Sequence, residues 1–104
     1  MVIVNTENIP GKQLQALSLV TGCCIMCKNI GKDIGASFRN MVGGEMQSYT
    51  QLMCEAKDQA LNYMIAQAQS MGADAVVNVR FSSTTIVTGG AEILVAGTAV
   101  KFMN

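Results

Sequence analysis

From Ser48 to Met71 the chain reads SYTQLMCEAKDQALNYMIAQAQSM, and Gly72 follows. Placed at about 100° intervals, Tyr49, Leu52, Met53, Ala56, Ala60, Met64 and Met71 fall along one stripe. Ser48 reads as an N-cap, with Gln51 three residues on to complete a capping box. Gly72 reads as the C′ residue, where a left-handed φ is needed. The stretch therefore predicts one long amphipathic helix. A second apolar stripe of Cys54, Leu61, Ile65 and Ala68 runs beside the first. Gln51, Glu55, Asp58, Gln59, Asn62 and Gln69 make up the polar remainder. One sheet face cannot bury both stripes, so the second is expected to pack against another copy of the chain.

Working outward, Val2 to Val4 reads as a short edge strand and Asn8-Ile9-Pro10-Gly11 as a turn. Gln13 to Lys28 reads as a long strand, apolar on both faces from Leu17 to Cys27, as expected for a strand covered on both sides. Gly22 inside it marks a bulge or a close backbone approach. Asp33 is placed to cap a short helix over about Ile34 to Met41, ended by Gly43-Gly44. Beyond the long helix, Ala75, Val77, Val79 and Phe81 alternate with Asp74, Asn78, Arg80 and Ser82 to give a strand. A loop from Ser83 to Ala91 follows, with Ile86-Val87 as a small strand within it. Ile93 to Phe102 is the last strand, with Gly97 as another bulge or close contact. The order β-β-α-α-β-β predicts a single α+β domain: a mostly antiparallel sheet packed on one long helix plus a short helix.

At 104 residues the chain fits one ordinary domain. Half of its residues are apolar and only 13% are charged, against an average of about a quarter. So little charge on so small a domain again points to self-association. Net charge is zero, and three Phe, two Tyr and no Trp are scattered along the chain. That argues against a nucleic-acid partner, which would meet a basic patch and stacking aromatics. No segment approaches the roughly 18 apolar residues of a membrane span, and no signal-peptide pattern opens the chain. The four Cys are accordingly read as reduced thiols in a cytoplasmic protein with no membrane partner.

Cysteine is the one reactive residue type present in concentration. Cys23, Cys24 and Cys27 form a C-C-x-x-C run, and C-x-x-C is a recurrent half of thiolate sites for soft metal ions. On a strand, however, residues three apart point to opposite faces and lie about 10 Å apart. A metal would then need a bulge at Gly22, or one Cys from each of several subunits. The alternative is that the thiols, Cys54 included, are small apolar packing residues. A redox pair would be expected at a helix N-terminus, not in a strand. Asp33, Arg39, Glu45 and Tyr49 cluster in sequence around the helix pair and could line a polar site, or could simply be caps and exposed turns. The glycine pairs Gly43-Gly44 and Gly89-Gly90 match no nucleotide fingerprint. The chain has no His, which removes the commonest general base, and no catalytic constellation is visible. An enzyme is not expected.

Several blocks resemble one family. Ile9-Pro10-Gly11, Asn29-Ile30-Gly31-Lys32-Asp33-Ile34-Gly35-Ala36, and Arg39-Asn40-Met41-Val42-Gly43-Gly44-Glu45 with Tyr49-Thr50 are similar to the YbjQ-like proteins, labelled heavy-metal-binding. Gly72-Ala73-Asp74-Ala75-Val76-Val77, Val79-Arg80-Phe81 and Ala96-Gly97-Thr98-Ala99-Val100 continue the match across the chain. The resemblance implies a dodecin-like fold, a sheet on a long helix, assembled as a ring-shaped homo-oligomer, a pentamer. Cys23, Cys24, Met26 and Cys27 stand where the family pattern has polar residues, so the resemblance transfers no metal ligand. A site for a soft metal ion would rest on this chain's own thiols.

Overall fold

The computed structural model describes residues 1–27, 44–84 and 90–104. Its elements are β1 (Val2–Ile3), β2 (Leu14–Cys27), helix α1 (Gly44–Ser70), β3 (Ala75–Thr84) and β4 (Gly90–Phe102). The strands form one mixed sheet in the order β1-β3-β4-β2. Both long pairings are antiparallel, and β1 lies parallel to β3. The α+β expectation holds, with one parallel pair at the edge. The short helix over Ile34 to Met41, its cap Asp33 and the Ile86-Val87 strand lie outside the described residues. Of the loop expected from Ser83 to Ala91, both ends are strand, since β3 runs on to Thr84 and β4 already begins at Gly90; residues 85–89 lie outside the described residues.

Helix α1 starts earlier than its capping signal suggests. Gly44, expected to end a preceding helix, is its first residue, and Ser48 and Gln51 lie inside it. Glu45, Met46 and Gln47 are good helix formers and carry the helical backbone through Ser48. The other end matches the expectation closely. Gly72 has φ 75, its amide donates to the Gln69 carbonyl at 3.0 Å, and the Ala73 amide donates to the Ala68 carbonyl at 3.1 Å. This is a Schellman closure, with Ala73 packing back onto the core beside Ala68. Lys101 adds a hydrogen bond from Nζ to the Gly72 carbonyl at 2.8 Å.

The helix buries Ala56, Ala60, Met64 and Ala68, a row spaced every four residues, with Met53 and Leu61 packed at its margins. Ala68 thus belongs to the core stripe and Met71 does not, being exposed. Met71 has already left the helix, so the 100° projection fails there. The sheet answers with Val20, Cys24, Val76, Val79, Ile93, Val95 and Ala99. Gly22 sits where the two layers come closest. A Cβ there would fall on the Ala60 carbonyl oxygen and 2.9 Å from the Met64 amide nitrogen. The close-approach reading of Gly22 is therefore the right one, and the bulge in β2 falls instead between Ala16 and Ser18.

A second irregularity reassigns the faces of β3. The register with β4 slips between Val77 and Arg80, and Asn78 there adopts φ 57. One extra residue inverts the alternation. Val76 and Val79 face the helix, whereas Ala75 and Val77 join Val100 on the opposite face. The predicted single face of Ala75, Val77, Val79 and Phe81 is split in two. Gly97 accommodates this bulge, since a Cβ there would meet Val76 Cγ1 at 2.6 Å.

The chain's opening segment covers one end of that opposite face. Val4 and Ile9 pack on Ala75, Val77 and Val100 together with Leu14 and Phe102. The Ile9-Pro10-Gly11-Lys12 turn is closed by the Lys12 amide donating to the Ile9 carbonyl at 3.1 Å. Backbone hydrogen bonds from Val4, Asn78 and Val79 stitch the segment to β3.

Candidate functional site

β2 presents its thiols in opposite directions. Cys24 is buried in the helix-facing core beside Val20 and Ile93. Cys23 is exposed and free, on the outer face, where its register partner is Leu94. Neighbouring residues on a pleated strand point to opposite faces, so Cys23 and Cys24 cannot converge on one ion within a subunit. Cys27 is the last residue of β2. Cys54 is exposed on α1. Among the described residues no three His, Cys, Asp or Glu side chains come together as a metal site. One subunit thus offers no fitting ligand set for a metal among its described residues.

Burial pushes the Cys24 thiol above its ordinary pKa, and the adjacent Cys23 adds to the rise. Desolvation penalises the thiolate, so the fold favours the neutral form. The stability this contributes is present below the ordinary thiol value and is lost as pH climbs through the raised one. Alkaline conditions therefore loosen this group, and acid does not. Iodoacetamide, which attacks thiolates, is expected to modify exposed Cys54 well before Cys24 at neutral pH. Peptide mapping by mass spectrometry checks the order, and equal rates would contradict the burial of Cys24.

The predicted polar cluster is only partly described. Asp33 and Arg39 lie outside the described residues, while Glu45 and Tyr49 lie in the opening turns of α1. What the sequence did not announce is a groove beside the helix. α1 lies over β2 and β4 and barely touches β3. Phe81, whose register partner Val95 is buried under the helix, is therefore left half exposed. It forms the wall between two concavities. One of about 320 Å³ is bordered by Met53, Cys54, Lys57 and Ile93. The other, about 570 Å³, is bordered by Ile3, Val4, Leu61 and Val79. The bulge at Asn78 turns Phe81 to this side, and no local sequence signal marks that bulge.

The outer face is also bare at one end. Leu19 is 66% exposed, Ile25 55% and Leu94 44%, and Cys23 lies among them. No helix of the described residues is long and apolar enough to cross a membrane.

A family model described as "Putative heavy-metal-binding" matches residues 1–103. The chain belongs to this YbjQ-like family. A relative named UPF0145 protein in Clostridium novyi is 46% identical over 99% of this chain and 100% of its own length. One of the same name in Methanosarcina acetivorans is 47% identical over 100% of this chain and 99% of its own. A crystal structure of a protein of unknown function from Pediococcus pentosaceus, assigned to the DUF74 family, superposes with a TM-score of 0.64. It is 15% identical and covers 98% of this chain and 97% of its own. That likeness supports the YbjQ-like fold and carries no ligand with it.

Proposed function

We propose that this YbjQ-like chain is a homo-oligomeric binding module that takes a soft metal ion through Cys23 thiolates from neighbouring copies. The observation that carries the reading is the placement of Cys23: an accessible thiol on a bare apolar sheet face, with its neighbour Cys24 turned into the core. Among its described residues a single subunit supplies too few donors, and thiolate sites for soft ions use several. Copies that meet through this face would gather one Cys23 each. The family's heavy-metal description agrees with that chemistry. So does the shape, because the radius of gyration is 17.1 Å against about 13 Å for a compact chain of this length. An elongated subunit with bare apolar flanks suits an assembly, and the pentameric ring remains the arrangement to test.

Anaerobic titration with Cd²⁺ provides the measurement. Thiolate-to-metal absorbance is expected to saturate below one ion per chain, because ligands are shared, and to vanish in Cys23→Ser. No absorbance up to a stoichiometric excess would overturn the metal reading. A second reading, an assembly module with no small-molecule ligand and merely packed thiols, is favoured by the divergence of Cys23, Cys24 and Cys54. A silent titration on an intact oligomer selects it.

A further inference from the structure

Both register shifts of the long pairings fall around one short stretch of β4. β2 slips between Ala16 and Ser18, opposite Val100 and Ala99. β3 slips between Val77 and Arg80, opposite Thr98 and Ala96. A bulge bends its strand and increases the local twist, so two of them flanking Thr98 help to hollow the outer face. A cleft of about 360 Å³ lies there. It sits where β2 begins and β4 finishes, at the far end of the sheet from Cys27 and Thr84.

The floor of the cleft is apolar and its rim polar. Val77 and Val100 are buried beneath it, and Leu14 and the small Ala16 border it. Glu7, Asn8, Asn78 and Thr98 supply the polar groups. None of these four side chains has a hydrogen-bond or ionic partner among the described residues. Their backbone, in contrast, is tied down. The Thr6 hydroxyl donates to the Asn8 carbonyl at 2.7 Å, and the Asn78 amide donates to the Thr6 carbonyl at 2.8 Å. Asn104 fixes the far end of the loop, accepting from the Gln13 amide and donating to the Gly11 carbonyl. Asn78 is itself held at φ 57, a left-handed conformation uncommon outside glycine. Fixed backbone beneath unengaged polar tips makes a largely pre-formed site, and the volume is that of a small-ligand pocket.

Charge decides what fits. Glu7 is the one ionisable side chain in the described lining, and a carboxylate only accepts hydrogen bonds. Two cations of the same region are engaged elsewhere. Arg80 donates from Nη1 to the Asn5 and Val79 carbonyls at 2.9 and 3.0 Å. The Lys12 ammonium lies over the Phe102 ring, 4.9 Å from its centroid. An anionic ligand would therefore meet a carboxylate with no cation in the lining to offset it. A ligand with a charged nitrogen would meet Glu7, two side-chain amide carbonyls and a hydroxyl, while its carbon chain covers the valines. We infer that this cleft binds a small aliphatic amine in its ammonium form, with the nitrogen against Glu7 and the chain over Val77, Val100 and Ala16. The site uses no thiol and lies within one subunit, so it stands apart from the metal reading above.

Amide NMR of the full chain, titrated with n-butylammonium, tests it. Saturable shifts are expected at Asn8, Asn78 and Thr98. Glu7→Gln should weaken binding about five-fold, the equivalent of roughly 1 kcal/mol for an exposed charge pair. Glu55→Gln, exposed on α1, should leave it unchanged. Ala16→Leu fills the floor without touching the charge and should abolish saturation. Thr98→Leu plugs the same space if Ala16→Leu fails to fold by circular dichroism. Equal shifts with butyrate or 1-butanol would overturn the preference for a cation. Ca²⁺ that gives the same shifts and displaces the amine would make this a metal-cation site and overturn the inference as well. No saturable shift at all, or saturation that survives the plugging variant, overturns the site itself.

Discussion

Gly22→Ala is expected to lower stability by at least about 3 kcal/mol, the upper end of what overpacking costs. The new methyl has nowhere to go. It would land on the Ala60 carbonyl oxygen, the acceptor of a hydrogen bond within the helix, and crowd the Met64 amide that donates to it. Backbone cannot rotate aside as a side chain can. Either α1 lifts away from β2, losing contacts of Ala56, Ala60 and Ala68, or the strand bends. For a domain of this size the loss corresponds to roughly 12 °C or more in Tm. Thermal unfolding followed by circular dichroism measures it. A shift within about 2 °C, well under 1 kcal/mol on the same scale, would show that the layers are not in contact there.

Met64→Ala is expected to cost about 2–5 kcal/mol, the range for truncating a buried large side chain. Met64 is fully buried and is the largest such side chain among the described residues. It stands in a row otherwise made of alanines, so it fills most of the space between α1 and the sheet at mid-helix. Its neighbours along that row, Ala60 and Ala68, are too short to fill the void. Met64→Leu, which nearly conserves volume, should cost under about 1.5 kcal/mol. Urea unfolding at several protein concentrations reads both variants and separates out any contribution of self-association, which would shift apparent stability by mass action. Equal midpoints for the two would contradict the packing described.

These effects divide between what local sequence could show and what it could not. The long helix, its end at Gly72 and a turn around Pro10-Gly11, which closes one residue later than read, were legible, because each depends on residues a few positions apart. Gly22 was flagged, but only as one of two possibilities. Choosing between them needs the helix carbonyl that faces it, far away in sequence. The divergence of the cysteines was half legible, since strand alternation separates neighbours whatever the sheet does. Which thiol is buried depends on the face that α1 covers. The bulges between Ala16 and Ser18 and at Asn78 were not legible at all. Each inverts an alternation, so Phe81 and Val79 face the helix side and Val77 does not, although all three read as one face.

By itself, then, the sequence determined an α+β chain with one long helix, more apolar surface than one core can hold, and thiols that a single strand would not gather. Those follow from composition and from periodicities of two and 3.6 residues, which are local and additive. Only the tertiary structure decided where the surplus lies. Pairing β1 with β3 and β2 with β4 is a choice among non-local contacts, settled by how whole faces fit. It sets α1 over β2 and β4, and it leaves Phe81 half exposed on the helix side and Ile25 and Cys23 exposed on the outer face.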